Sequence, residues 1–159
     1  MEILVRDPTS SDRSAWTRLW SGYLEFYETE LAEPVTAALW GRILDPEDPV
    51  NGLVSETDGE VMGFVHYFAH PDTWDLRPRC YLQDLFVDPA VRGGGVGRGL
   101  IEAVVGHARR EGWSGVYWHT AEDNHAARHL YDQVTGGPSG FIVYEKDLGP
   151  ALDRPPDAD

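Results

Sequence analysis

Between Tyr81 and Gly99 the chain reads YLQDLFVDPAVRGGGVGRG, an apolar run suited to a strand that meets a cluster of glycines opened by Arg92. Leu100, Ala103, Val104 and Ala108 then recur at helical spacing, so a helix begins inside the cluster. Such a strand, turn and helix form a crossover, which calls for a parallel partner strand after the helix. The same stretch constrains function. Few side chains cover the backbone from Gly93 to Gly99, so an anion can approach its amides. Amides at a helix start, with the positive end of the helix dipole, make a phosphate site. Glycines alone would also suit a flexible turn. Spacing narrows the choice of phosphate loop. No register between Gly93 and Gly99 supplies Gly-x-Gly-x-x-Gly, and Gly99 is followed by Leu100 rather than by the Lys-Ser/Thr of a P-loop.

A second segment, VYWHTAEDNHAARHLY at 116–131, carries its own pattern. Val116 to Thr120 suits a buried strand, rich in β-branched and aromatic residues. Asp123 or Asn124 can cap a following helix that bears Ala126, Ala127 and Leu130. Asn124 and Tyr131 are seven apart and fall roughly on one helix face.

The run RGGGVG from Arg92 to Gly97 resembles the acyl-CoA pyrophosphate signature of the GNAT N-acetyltransferase superfamily, Arg/Gln-x-x-Gly-x-Gly/Ala. The preceding LFVDP is similar to that superfamily's fourth strand. The resemblance implies acetyl-CoA as co-substrate. It places Arg92, Gly93, Gly94, Gly95, Val96, Gly97 and Arg98 around the pyrophosphate. Backbone groups of Leu85, Phe86 and Val87 would pin the pantetheine and stabilise the oxyanion, freed by a bulge that splays this strand from the next. Asn124 would contact the pantetheine arm, and Tyr131 would protonate the leaving thiolate. Residues 63–87 are further similar to diamine acetyltransferases of the spermidine/spermine type, and the likeness covers roughly residues 1–147. Tyr27-Glu28 resembles an amine-contacting pair of that branch. Gln83 stands where the branch has a Glu that binds the amine and accepts its proton.

Composition sets the outer limits. The net charge of −14 argues against nucleic acid, where a basic stripe is expected. It suits attraction of a cationic amine, and serves solubility as well. Six Trp, seven Tyr and five Phe in 159 residues argue for one packed domain. Cys80 is alone, so no internal disulfide forms. No apolar run approaches the roughly 20 residues of a membrane span. MEILVRDP shows no signal-peptide pattern. These features lead to the expectation of a cytoplasmic protein without membrane partners. The expected domain is 1–147, followed by a disordered, acidic, Pro-rich tail at 148–159.

Along the chain, Glu2 to Arg6 reads as a first strand. Ser11 or Asp12 can cap a helix carrying Trp16, Leu19, Trp20 and Tyr23. Pro34 opens a second helix. Leu53–Glu56 and Val61–Phe68 read as a hairpin turning at Asp58-Gly59. Tyr81–Val87, the glycine loop with its helix to Glu111, a strand over 114–120, a helix over 124–134 and a last strand over 140–146 complete the set. The expected fold is α/β (α+β), a GNAT-type mixed and mainly antiparallel sheet flanked by about four helices.

Acetyl transfer to an amine needs a base and an acid. A phenol near pKa 10 lies above a thiol near 8.5, so Tyr131 can protonate the thiolate in a water-poor cleft. Gln83 cannot take a proton. Asp84 can, directly or through water, although strand alternation places it on the face opposite Gln83. Glu25, Glu28 and Glu30 are further acids that can either line the amine mouth or simply face solvent. His125 and His129 lack the intervening Glu and the third ligand of a zinc motif, so no metal is expected. The reading is an N-acetyltransferase acting on a small primary amine, such as a polyamine, a lysine analogue or an amino acid. A protein lysine or N-terminus is the other acceptor class, and a non-catalytic acyl-CoA-binding module the other function. The resemblance also implies a homodimer whose last strands meet across a two-fold axis.

Overall fold

A computed structural model describes residues 1–150. The chain divides into two compact units, Met1–Asn124 and His125–Asp159. The first contains, in order, β1 (Ile3–Arg6), α1 (Arg13–Phe26), α2 (Glu33–Leu44), β2 (Asn51–Thr57), β3 (Glu60–His70), β4 (Arg79–Val87), α3 (Val96–Glu111) and β5 (Val116–Tyr117). The second contains α4 (His125–Thr135). The five strands lie side by side in chain order. Pairing is antiparallel from β1 to β4 and parallel between β4 and β5. This is the mixed, mainly antiparallel sheet with four α-helices that the sequence implies. Asp58 and Gly59, both at positive φ, make the tight turn between β2 and β3.

The core is aromatic on the α1 side. Trp16, Leu19 and Trp20 of α1 and Trp40 and Ile43 of α2 pack with Val54, Phe64 and Phe86 of the sheet. Trp20 donates its indole N–H to Thr36 at 3.2 Å, so the buried ring keeps a polar partner. On the other face α3 comes close at Gly63. A Cβ there would stand 3.1 Å from Val96 and 3.2 Å from Leu100. Glycine lets this helix settle onto β3 without pressing on either side chain.

The entrance to α1 is fixed by charge. Arg6 grips both oxygens of Asp12 at 2.8 and 3.0 Å and reaches Glu56 at 3.0 Å. Hydrogen bonds from Arg6, working against burial, lower the Asp12 carboxyl from 3.8 to about 2. A folded value below the unfolded one stabilises the protein above about pH 4, and the benefit is lost as pH falls toward 2. The melting temperature of the wild type should therefore drop more steeply through that window than that of Asp12→Asn. Parallel slopes in scanning calorimetry would disprove the assignment.

Two expected strands differ. The strand expected over 114–120 is confined to Val116–Tyr117. Residues 140–146 form no strand, and Phe141, Ile142, Val143 and Tyr144 are exposed. β-propensity describes a fit to a pleated, half-buried surface, so without a partner edge it makes no strand. The tail expected at 148–159 lies, from 151 onward, outside the described residues. Among the described residues no helix is long and apolar enough to cross a membrane.

Candidate active site

β4 carries the centre of the site, and its irregularity shapes it. His66 of β3 faces Asp84 while the next residue, Tyr67, faces Leu82. Gln83 is thus the extra residue of a bulge, and the alternation of side chains resets there. Tyr67 turns toward α3, its hydroxyl 2.6 Å from His107. Asp84 is buried with His66, whereas Gln83 is exposed. The bulge therefore lies against β3, not on the side of the next strand where the sequence led us to expect it. The splay on that next side arises differently. Pairing with β5 ends at Tyr81, so among the described residues 82–87 have no strand beside them there. Leu85, Phe86 and Val87 run along this open edge.

Asp84 sits in a chain of buried polar groups. Tyr23 donates its hydroxyl to Asp84 Oδ1 at 2.6 Å. His66 Nδ1 lies 3.0 Å from Asp84 Oδ2. Trp16 donates its indole N–H to His66 Nε2 at 3.0 Å. An indole can only donate, so Nε2 accepts and Nδ1 carries the proton that goes to Asp84. Burial, and then the charge of Asp84, push the Tyr23 phenol far above its ordinary value, so it remains a donor. Helical spacing alone places Trp16 and Tyr23 on the first helix and does not join them to His66. The available signal was their spacing: Trp16 and Tyr23 share one stripe of α1.

Tyr27 ends α1 with its ring 4.9 Å from that of Tyr23, and burial raises its phenol as well. Glu28 follows at φ 51, in the left-handed region, and Thr29 N–H closes the turn on Leu24 at 2.9 Å. Helices usually place glycine there. Glu28→Gly should relieve strain of about 1 kcal/mol, partly offset by a freer unfolded chain, for a net gain near 0.5 kcal/mol. A denaturant titration that finds the variant less stable would show that Glu28 makes a compensating contact. Tyr81, Tyr117 and His119 extend the aromatic wall, with the Tyr81 hydroxyl 3.2 Å from His119 and Arg79 stacked 4.4 Å above Tyr117.

The glycine loop leads from β4 into α3. Gly93 and Gly95 have φ of 81 and 92, and Gly95 immediately precedes the helix. The first-turn amides of Val96 and Gly97 have no acceptor within the helix. Gly94 N–H is tied to Val91 and Gly99 N–H to Gly95. The amides open to an anion are therefore fewer than the full run from Gly93 to Gly99. Arg92 anchors its Nε on the Val87 carbonyl at 3.0 Å and lies over the Phe86 ring, which leaves the rest of its guanidinium for a ligand. The nearby Asp88 carboxylate is held by Ala90 N–H and by Arg18. A cavity of about 340 Å³ is lined by Arg18, Gly22, Glu25, Phe26, Phe86 and Arg92, among others. A Cβ built on Gly93 meets nothing within 4 Å, so the approach is open. Helix-start amides, the free part of the Arg92 guanidinium and an open loop fit a pyrophosphate.

The structure thus brings Asp84, Leu85, Phe86, Val87 and the Arg92–Arg98 loop into one continuous stretch, with Tyr27 joined to Asp84 through Tyr23. Glu28 and Gln83 lie exposed at its margins. Asn124 is the last residue of the first unit, its N–H on Ala121 at 3.0 Å. Tyr131 lies on α4 in the second.

The profile of the Acetyltransferase (GNAT) family matches residues 13–136. The chain belongs to the GNAT acetyltransferase family. This GNAT protein is 37% identical over 134 residues to a D-amino-acid N-acetyltransferase of Saccharomyces cerevisiae, covering 83% of each chain. It is 30% identical over 142 residues to an uncharacterized N-acetyltransferase of Bacillus subtilis, covering 88% of this chain and 94% of the relative. Its fold matches the solved structure of AAC(6')-Iy in complex with the bisubstrate analog CoA-S-monomethyl-acetylneamine. The TM-score is 0.79 at 18% identity, over 92% of this chain and 99% of the other. The GNAT chain is an acetyl-CoA-dependent N-acetyltransferase that acts on amines.

Proposed function

We propose that this enzyme acetylates a small primary amine by direct attack of the amine on acetyl-CoA within a ternary complex. One observation carries the reading: a buried carboxylate, Asp84, lies on the open edge of β4 immediately before Leu85–Val87 and is hydrogen-bonded by Tyr23 and His66. Helix-start amides at Val96 and Gly97, with Arg92 and Arg98, hold the pyrophosphate, and Asn124 meets the pantetheine arm. The amine nitrogen forms its bond to the thioester carbon. The developing oxyanion is met by backbone N–H groups of the β4 edge, where fixed donors act without reorganising. The amine's proton goes to Asp84, and Tyr131 gives its proton to the departing thiolate. No acyl-enzyme is needed, and the free thiol Cys80 is buried with its pKa pushed up to about 12 by burial.

The acceptor class is a polyamine, a lysine analogue or an amino acid. The yeast relative's name supports the amino acid. Gln83, exposed where diamine acetyltransferases have Glu, weakens the case for polyamines. The same Gln83 is the feature that favours a non-catalytic acyl-CoA-binding module. The exposed run Phe141–Tyr144 supports a homodimer, because four consecutive large apolar side chains are seldom left to water. A cytoplasmic setting accords with the free thiol.

The test is thiol release from acetyl-CoA against diamines, polyamines, L- and D-amino acids, aminoglycosides and lysine peptides. Release that depends on a small amine, with the best acceptor showing the highest kcat/KM, supports the reading. Release with peptides alone moves the enzyme to protein acetylation. Acetyl-CoA binding with no release above the amine-free background favours the binding module.

A further inference from the structure

Asp84 is 8% exposed, and each of its oxygens already holds a donor. An ammonium approaching Oδ1 meets the group hydrogen-bonded to it. On the α1 side that group is Tyr23. Its ring is stacked on Trp20 at 5.2 Å and flanked by Tyr27 at 4.9 Å, so its hydroxyl has little freedom to turn away. The oxygen donates to Asp84 and keeps lone pairs that can accept. We propose that Tyr23 is the residue that meets the acceptor's ammonium, that the Tyr23 hydroxyl and Asp84 form a two-step proton relay, and that His66 is a positioning residue for Asp84. This rests on the transferase reading of the site.

The steps balance. The ammonium N–H bond breaks and its proton bonds to Tyr23 Oη, while the proton already on Oη moves to Asp84 Oδ1. The nitrogen keeps the electron pair for attack on the thioester. Tyr23 ends as a neutral phenol and Asp84 as a neutral carboxylic acid, which returns its proton to solvent after the product leaves. A phenol held far above its ordinary value by burial and by Asp84 suits this role, since no free phenolate has to form. The relay ends at Asp84. Trp16 presents an N–H to His66 Nε2, so a second proton on that ring would set two donors against each other. The titratable groups around the relay are Tyr27 at the end of α1, His66 on β3 and Tyr81 on β4.

The experiment compares wild type, Tyr23→Phe, Asp84→Asn and the double variant, using the best amine of the wild type, with kcat/KM followed from pH 7 to 10. Each single variant should lose about 100-fold at pH 7, and the double should lose no more than the worse single. The deficit should shrink by up to about tenfold per pH unit as neutral amine becomes available. Acetyl-CoA affinity should be unchanged in each. A proton inventory on the wild type in mixed light and heavy water, at a pH where kcat/KM rises with pH, reads the relay without any variant and should be curved, reporting two protons in flight. Tyr23→Phe within threefold of wild type, a deficit equal at all pH values, or a linear inventory would each overturn the relay. Absence of thiol release by the wild type with every amine would instead defeat the transferase reading on which it stands.

Discussion

Gly97→Asp should raise the KM for acetyl-CoA about a hundredfold, or roughly 3 kcal/mol, while the protein melts no lower than the wild type. The two effects have one cause. Position 97 is in the first turn of α3, which begins at Val96. A carboxylate in a first turn interacts favourably with the helix dipole, by about 0.3–1 kcal/mol. The same carboxylate occupies the field that would attract a pyrophosphate and repels it. A folding defect would move stability and affinity together; this substitution should move them apart. Calorimetric titration with acetyl-CoA, beside a melting curve, measures both. Unchanged affinity would place the pyrophosphate somewhere other than the start of α3.

Tyr131→Phe should lower kcat by about 100- to 1000-fold, or roughly 3–4 kcal/mol, with acetyl-CoA affinity retained. The phenol is asked for one thing, a proton for the thiolate as the carbon–sulfur bond breaks. Removing only the hydroxyl leaves the ring and its packing. The loss should therefore fall on turnover and spare ground-state binding. A variant with wild-type turnover across pH would remove Tyr131 from the mechanism and leave solvent as the acid.

Much of this was legible in the sequence because it is written locally. The α3 start lies inside the glycine cluster, Gly112 ends the helix, and Asp58-Gly59 turns the hairpin. Each depends on residues a few positions apart. What was not legible depends on pairing across the chain. The bulge at Gln83 is visible only once β3 is laid beside β4, because His66 and Tyr67 must be seen to face Asp84 and Leu82. The same holds for the Trp16–His66–Asp84–Tyr23 chain, whose members come from α1, β3 and β4. Residues 140–146 failed in the opposite sense: their composition favours a strand, but composition cannot supply the neighbouring edge that a strand requires.

The joint between β4 and β5 is two residue pairs long. So short a joint carries little cooperativity across it. Amide hydrogens on β5 should exchange with solvent by local opening, while those of β2, β3 and β4 wait for the whole sheet to come apart. A donor molecule lying along the open edge of β4 would act as a stitch across this gap, and anything that binds only the folded form stabilises it by mass action. Resistance to proteolysis would then rise and fall with the supply of the acyl donor, so that the seam which admits the substrate also makes the protein's persistence depend on it.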